Sequence, residues 1–295
     1  MTGPDFASLL QLAENNARER RSSVAAVLKE LLHYEILQAM LETDALQTLT
    51  FQGGTALRLC YGGDRYSEDL DFVCGASFDP GVLDGLAEAL SDRIGRFYGL
   101  GVTLDVRVPE PGSGVEVGRW RAKVWLPQLD RSQRQAYVIN IEVAAVPAHT
   151  RRLLRVQGSF RELPSSYGAL LVPTESIEEI AADKVVAFGA RRHLKHRDVW
   201  DLWSLNSRGV SAPTDLVRLK LEDYGLDSDR FAAGIAERLE EIGDPGYLEV
   251  FLREMERFLD QGAFAVLSGE MAAASVVSAS AALVETAITA VRRDL

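Results

Sequence analysis

Cysteine is almost absent from this chain of 295 residues, which contains only Cys60 and Cys74. Two cysteines cannot build the disulfide framework that stabilises small secreted domains, and their spacing matches no zinc-binding motif. This scarcity predicts a reducing, cytoplasmic environment. The first twenty residues also lack the basic segment and apolar core of a secretory signal, which favours the same location.

Long hydrophobic runs are missing as well. The longest uncharged apolar stretch, residues 271–284, is shorter than the roughly 20 residues that a transmembrane helix needs, and serines interrupt it. The stretch therefore predicts a packed helix or a contact between subunits, and we expect no membrane partner.

Positive charge is in deficit, because 43 acidic residues oppose 32 basic ones and the net charge is -11. Taken alone, this deficit argues against a nucleic-acid partner. The segment from His149 to Arg197 is nevertheless basic, and a local positive potential can attract a polyanion to an acidic protein. Its cations are Arg151, Arg152, Arg155, Arg161, Lys184, Arg191, Arg192, Lys195 and Arg197. The segment is a candidate RNA surface, and the alternative is a solvated helix face.

Hydrophobic periodicity divides the chain into two parts. Residues 5–42 and 82–98 have helical spacing. Short strands are predicted at residues 49–51, 70–74, 104–108, 120–126 and 137–143. Residues 164–176 are rich in turn residues and predict a linker, after which the pattern is helical almost to the end. The predicted fold class is α/β (α+β), with a mixed or mostly antiparallel sheet in residues 1–165 and a helical lobe in residues 166–295.

Two aspartates, Asp69 and Asp71, lie one residue apart in a predicted strand. Successive strand side chains point to opposite faces, so these carboxylates share one face, roughly 6 to 7 Å apart. Two carboxylates repel each other unless a cation lies between them, and Mg²⁺ commonly binds one or two carboxylates together with phosphate oxygens. The pair is a candidate Mg²⁺ or Mn²⁺ site, and the alternative is an acidic strand end exposed to solvent.

A glycine pair, Gly53 and Gly54, follows a strand and precedes a helix, fifteen or so residues before the aspartates. Without Cβ atoms, this backbone lets a phosphate approach closely, and the N–H groups at the start of the helix point towards the anion. Thr55 can add a hydroxyl, and Arg65 and Ser67 are further candidates for binding a nucleoside triphosphate. The alternatives are an ordinary strand-to-helix turn and, for Ser67, a serine that bonds only to nearby backbone.

Glu142 is a candidate third carboxylate. In the strand around it, Ile139, Ile141 and Val143 face one side while Asn140 and Glu142 face the other. A neighbouring strand could place Glu142 beside the two aspartates, where it would act as a third metal ligand or a general base. The alternative is a strand residue that faces solvent.

Lys184 lies inside the apolar stripe of a predicted helix, four residues after Ile180. A lysine is almost never fully buried without a partner, so its ammonium either extends out to solvent or reaches a cleft that holds phosphate. Asp198 and Asp201 share a face of the next helix, where Asp198 could also serve as an acid at the helix start.

These motifs together resemble the AbiEii-type nucleotidyltransferase toxins, which belong to the DNA-polymerase-β-like nucleotidyltransferase superfamily. The resemblance rests on "GGTALRLCYGGDRYSEDLDF", "INIEV", "IEEIAADKVVAFGARR" and "HRDVWDL", and it covers about residues 49–205 in order. It implies that Asp69 and Asp71 are the metal carboxylates and that Gly53, Gly54 and Thr55 form the nucleotide loop. It also implies that Lys184 is the family's lysine, with Asp198 or Asp201 as its late acid.

The expected activity is therefore the transfer of a nucleotide from a nucleoside triphosphate to a hydroxyl group, with Mg²⁺ or Mn²⁺ as cofactor. The resemblance implies an RNA acceptor, the 3′ end of tRNA, and a toxin whose antitoxin is encoded nearby. Two alternatives remain: the same chemistry on a small-molecule hydroxyl such as that of an antibiotic, and a non-enzymatic helical interaction protein.

Overall fold

The computed structural model describes residues 5–109, 115–126, 135–158, 160, 163 and 165–293. The chain forms two compact units. A sheet unit comprises Met1–Gly62 and Tyr66–Thr174, and a helical unit comprises Gly63–Arg65 and Glu175–Leu295.

The sheet unit contains a seven-stranded sheet, five α-helices and two short 3-10 helices in the described ranges. Its strands are β1 (Thr50–Gln52), β2 (Leu70–Val73), β3 (Gly101–Arg107), β4 (Val117–Trp125), β5 (Ala136–Ala144), β6 (Arg151–Arg155) and β7 (Leu171–Glu175), whose last residue falls in the helical unit. Its helices are α1 (Phe6–Arg20), α2 (Val24–Glu42), α3 (Gly53–Tyr61), α4 (Leu86–Tyr98) and α5 (Ser165–Gly168).

The sheet is mixed, with strand order β3-β4-β5-β2-β1-β7-β6. The acidic strand β2 lies near its middle, parallel to β5 and antiparallel to β1. Leu70 and Phe72 of β2 are fully buried, as are Ile139 and Ile141 of β5, and α2 and α4 contact the sheet. The alternating strand residues face outward, as the period of two requires. The predicted mixed sheet with helices is confirmed.

The helical unit consists of seven helices in the described ranges. They are α6 (Ile177–Ala190), α7 (His196–Ser207), α8 (Thr214–Asp223), α9 (Ser228–Gly243), α10 (Tyr247–Met255), α11 (Gln261–Leu267) and α12 (Ala272–Arg293). Helix α6 begins where the Ser176 side chain accepts a hydrogen bond from the backbone N–H of Glu179.

Helix α12 contains the apolar stretch noted in the sequence. By length and composition, residues Ala272–Val291 are the only part of the described helices that could cross a membrane. Val284 and Val291 are buried in the hydrophobic core of the helical unit, and the Ser280 hydroxyl donates to the carbonyl oxygen of Val199 on α7 at 2.7 Å. In this structure α12 is thus a packed core helix, one of the two predicted possibilities.

Three local predictions differ from the structure. Residues 5–42 form two helices, because Arg21 adopts a left-handed conformation (φ 50°) that ends α1. The predicted linker at 164–176 contains α5 and β7, and β7 pairs in parallel with β1. The two units consequently divide between Thr174 and Glu175, later than the predicted boundary near residue 165. The glycines and prolines of residues 108–118 predict a turn or hairpin loop, part of which lies outside the described residues.

Candidate active site

The two aspartates of the sequence motif lie at the start of β2 on the outward face of the sheet. Asp69 immediately precedes the strand, and Asp71 is the register partner of Glu142 on the parallel strand β5. The side-chain amide of Asn140 donates to Oδ1 of Asp69 at 2.8 Å. Since Asn140 and Glu142 are two residues apart on β5, these contacts place both aspartates on one face.

The glycine turn lies directly against this carboxylate pair. Gly53 begins α3 with a φ of 76°, and a Cβ atom at this position would lie 2.6 Å from Oδ2 of Asp71. A side chain here would therefore displace the carboxylate, in addition to the backbone strain that non-glycine residues suffer at positive φ. The glycine motif and the acidic motif are thus in direct contact within the sheet unit.

Thr55 has a role that the sequence did not predict. It is fully buried, and its hydroxyl donates to the backbone carbonyl oxygen of Asp69. Its single O–H is thus used to position the acidic segment rather than being presented to a phosphate. The α3 turn and the β2 carboxylates are therefore joined by a hydrogen bond as well as by close packing.

Helix α2 supports the same segment from another side. The buried His33 ring donates a hydrogen bond from Nε2 to the carbonyl oxygen of Glu68 at 3.2 Å, and Lys29 pairs with the Glu68 carboxylate at 2.9 Å. Burial lowers the pKa of His33 to about 4, an effect that the hydrogen bond to the Glu68 carbonyl group and the nearby carboxylates only partly oppose. His33 is therefore neutral at physiological pH and fixes the residue before Asp69.

Glu142 is the register partner of Asp71, and it also forms an ion pair. Nε of Arg119 on β4 lies 2.9 Å from Oε1 of Glu142, and both side chains are substantially exposed. Ser67 is half-buried in the segment that leads into β2. Whether Glu142 serves as ligand or base, and Ser67 as a phosphate contact, stays a prediction.

The two aspartates supply some, but not all, of the ligands that a divalent metal ion needs. Asp69 and Asp71 supply the hard oxygen ligands that Mg²⁺ prefers, next to a backbone cradle that Gly53 keeps open. Among the described residues, however, no group of three or more His, Cys, Asp or Glu side chains is arranged to hold a metal ion. An ion at this position would need further oxygen ligands from phosphate and water, which is the usual situation for Mg²⁺.

The helical unit contains its own charged cluster around Lys184. The Lys184 ammonium lies 2.7 Å from Oδ1 of Asp198 and 2.6 Å from Oδ2 of Asp201, and the lysine is only 8% exposed. Arg65 binds Asp201 through two parallel hydrogen bonds, and Arg191 pairs with Asp198. Lys184 therefore does not extend to solvent, and Asp198 is more than an acid at a helix start.

Burial opposes the ionisation of Asp198 and Asp201, but their cationic partners outweigh it. Lys184 and Arg191 hold the pKa of Asp198 well below its usual range, and Arg65 with Lys184 lowers the pKa of Asp201. Both aspartates are thus ionised at neutral pH. The predicted contacts of Arg65, Lys184 and these aspartates with a nucleotide stay predictions.

The helical unit contains a second buried cluster of charged side chains, which was not predicted from the sequence. Lys220 of α8 is fully buried, with its ammonium 2.8 Å from Oε1 of Glu175, 2.8 Å from Oε1 of Glu179 and 3.2 Å from Oδ2 of Asp183. Burial raises the pKa of Glu175, and the charge of Asp183 raises it further. Glu175, Glu179 and Asp183 recur every four residues, so their spacing is visible in the sequence, although Glu175 ends β7 and only the other two belong to α6.

Comparison with known proteins assigns the chain to a family. The family described as "Nucleotidyl transferase AbiEii toxin, Type IV TA system" matches residues 35–275. No curated protein matches the chain.

Two solved structures from Helicobacter pylori are similar to most of the chain. JHP933 shares 17% identity and a TM-score of 0.49, with 92% of this chain and 96% of that one covered. A second structure, described as a "putative nucleotidyltransferase", shares 16% identity and a TM-score of 0.46, with 90% of this chain and 97% of that one covered. At that level of similarity neither structure determines what this chain binds. The family match spans most of the chain, and the protein belongs to the AbiEii nucleotidyltransferase toxin family of type IV toxin–antitoxin systems.

Proposed function

We propose that the protein transfers a nucleotide from a nucleoside triphosphate to the 3′ end of an RNA, with tRNA as the acceptor, in a reaction that requires Mg²⁺ or Mn²⁺. The observation that carries the proposal is the contact between the Gly53 turn and the Asp71 carboxylate on the outward face of the sheet. Membership of the AbiEii toxin family supports nucleotidyl transfer and an antitoxin partner.

In this reaction the acceptor hydroxyl oxygen forms a bond to the α-phosphorus, the bond between that phosphorus and the bridging oxygen breaks, and pyrophosphate leaves. Asp69 and Asp71 would hold the metal ion, whose charge stabilises the phosphate oxygens during an in-line displacement. Glu142 is the candidate to accept the proton of the hydroxyl group. The N–H groups at the start of α3 would bind phosphate oxygens, because Gly53 leaves that backbone uncovered.

The chain's own contacts keep these carboxylates in position. Asn140 orients the side chain of Asp69, Thr55 fixes its carbonyl group, and His33 fixes the residue before it. Such preorganisation means that little rearrangement is needed when the charge on the phosphate develops. Modification of a tRNA 3′ end would prevent aminoacylation and hence translation, which is consistent with a toxin.

The test is transfer of label from each of the four α-³²P nucleoside triphosphates to total cellular RNA, with Mg²⁺, with Mn²⁺ and with EDTA. We expect labelled RNA of tRNA size, with a metal requirement and a preference among the four nucleotides. Label that appears in no RNA under any metal condition would contradict the proposal. Label that appears instead on a small-molecule hydroxyl would keep the chemistry and replace the acceptor.

A further inference from the structure

A row of basic side chains extends across the sheet from the carboxylates. Strand β4 buries Trp120, Ala122 and Val124, so its alternate residues point outward. The outward residues on this side are Arg119, Arg121, Lys123 and Trp125 of β4, together with Arg107 of β3. We call this set of residues the β4 face.

Strand register makes the β4 face continuous with the candidate site. Arg119 is the partner of Glu142, and Glu142 is the partner of Asp71. One pair further along, Arg121 is the partner of Asn140, whose amide binds Asp69. All of these residues belong to the sheet unit, and each step between alternate residues of β4 is about 7 Å.

Charge on this face is positive although the protein is strongly acidic. Four cations, Arg107, Arg119, Arg121 and Lys123, face two acids of β3 and β5: Asp105, which pairs with Lys123 at 2.5 Å, and Glu142, which pairs with Arg119. The formal charge of strands β3 to β5 on this side of the sheet is therefore +2, and the two aspartates of the candidate site lie next to it at β2.

Arg107 and Arg119 are direct cross-strand partners. Like charges placed opposite each other destabilise a sheet, so this pairing has an unfavourable local energy. Phosphate groups between the two guanidinium groups would remove the repulsion.

An aromatic ring completes the pattern. Trp125 lies at the far end of the face, and its indole N–H donates to the Thr103 hydroxyl at 3.2 Å, which orients the ring. Proteins bind single-stranded nucleic acid by combining a basic groove for the backbone with aromatic rings on which bases stack. The β4 face has both features, arranged in line with the carboxylates.

The geometry points to the β4 face as the surface that binds the single-stranded 3′ segment of the RNA acceptor and leads its terminal hydroxyl to Asp69 and Asp71. This inference rests on the proposed function for the nature of the acceptor. It differs from the surface that the sequence predicted in residues 151–197. There the Arg151 guanidinium donates to the carbonyl oxygens of Leu46 and Gln47, and Arg191 pairs with Asp198.

The test compares two double charge reversals in the full-length protein. Arg107→Glu with Lys123→Glu alters the β4 face without changing a residue placed in the site, while Arg152→Glu with Arg155→Glu makes the same charge change on the exposed strand β6. Fluorescence anisotropy with a labelled 12-nucleotide RNA and with a tRNA transcript would be measured over a range of salt concentrations. Binding of Mg²⁺–triphosphate would be measured in parallel, and Trp125→Ala would test stacking.

We expect the β4 reversal to weaken RNA binding at least tenfold and to reduce the salt slope by about 0.7 for each phosphate that the protein no longer neutralises. The β6 reversal should leave RNA binding unchanged, and triphosphate binding should be unchanged in both variants. Trp125→Ala should weaken RNA binding with no change in salt slope.

An unchanged affinity and slope in the β4 reversal, or a loss confined to the β6 reversal, would overturn the inference. Wild-type protein that binds triphosphate but no RNA would also overturn it while leaving nucleotidyl transfer intact. Wild-type protein that binds RNA through the β4 face but transfers no nucleotide would support this surface and contradict the proposed function. Binding of an acidic protein to the β4 face, by wild-type protein that binds no RNA, would overturn the inference and assign the face to a different partner.

Discussion

The Cα of Gly53 lies so close to Asp71 that an added Cβ atom would be 2.6 Å from the carboxylate oxygen Oδ2. Within the sheet unit, the start of α3 is therefore packed directly against the acidic strand β2. Any substitution at Gly53 has to move either the helix start or the carboxylate.

The first prediction concerns that contact. Gly53→Ala should reduce nucleotidyl transfer by about tenfold or more, because the methyl group displaces Asp71. Gly99 provides a matched control, since it has a similar φ of 66° but no atom within 4 Å of a Cβ placed there. Both alanine variants should lose about 1–2 kcal/mol of stability from the left-handed backbone. Equal transfer by the two variants, at equal folded fraction, would show that the contact is unimportant.

The second prediction separates the two buried lysines of the helical unit. Lys184→Met and Lys220→Met each leave buried carboxylates without their ammonium partner, which typically costs about 3–5 kcal/mol. We expect both variants to unfold at lower urea concentration. Only Lys184 is predicted to contact the nucleotide, so only Lys184→Met should also weaken Mg²⁺–triphosphate binding. Isothermal titration at low temperature would measure this binding. Wild-type triphosphate affinity in folded Lys184→Met would assign Lys184 a purely structural role.

The third prediction concerns the protonation of His33. Because burial lowers its pKa to about 4, the imidazole should stay neutral from pH 8 down to pH 5. The unfolded state binds this proton more readily, so the free energy of unfolding should fall as pH decreases from 6.5 to 4. The His33 contribution is roughly 3 kcal/mol over that interval.

Nitrogen-detected NMR titration of the His33 ring, assigned with His33→Gln, measures this pKa directly. The side-chain amide introduced by His33→Gln cannot titrate, so the stability of the variant should depend less steeply on pH in the same window. An imidazole that titrates near 6.5 would mean that the contact with the Glu68 carbonyl group is not maintained in solution.

Much of the sheet could be predicted because its strands alternate clearly. The strand around Glu142 was predicted at residues 137–143 and forms at Ala136–Ala144. Strand β7 could not be predicted, since Pro173 and its turn-forming neighbours resemble a linker. Proline is tolerated in a strand only where its missing N–H is not needed, and sequence alone does not reveal such a position.

The sequence motifs indicated which segments carry the candidate site residues, but not the contacts that those residues make. The glycine turn and the acidic strand are each visible in the sequence as a motif. The direction in which the Thr55 hydroxyl points, however, depends on how α3 packs on β2. The partners of Lys184 lie on α7, and the packing of α6 against α7 is a tertiary feature without a local signal. The cross-strand neighbours of Glu142, including Arg119, likewise required the register of the sheet.

The central claim is that Asp69 and Asp71 hold the metal ion on which nucleotidyl transfer depends. Its most direct test is Mn²⁺ binding by electron paramagnetic resonance, together with label transfer, in Asp69→Asn and Asp71→Asn. The amide at position 69 can still accept the hydrogen bond from Asn140, so this variant removes charge with little change in shape. Asp92→Asn, on the exposed surface of α4, is the control. We predict that both site variants lose Mn²⁺ binding and on the order of 10²-fold or more in transfer, while the control keeps both. Folded site variants that bind Mn²⁺ and transfer nucleotide at wild-type rates would contradict the account.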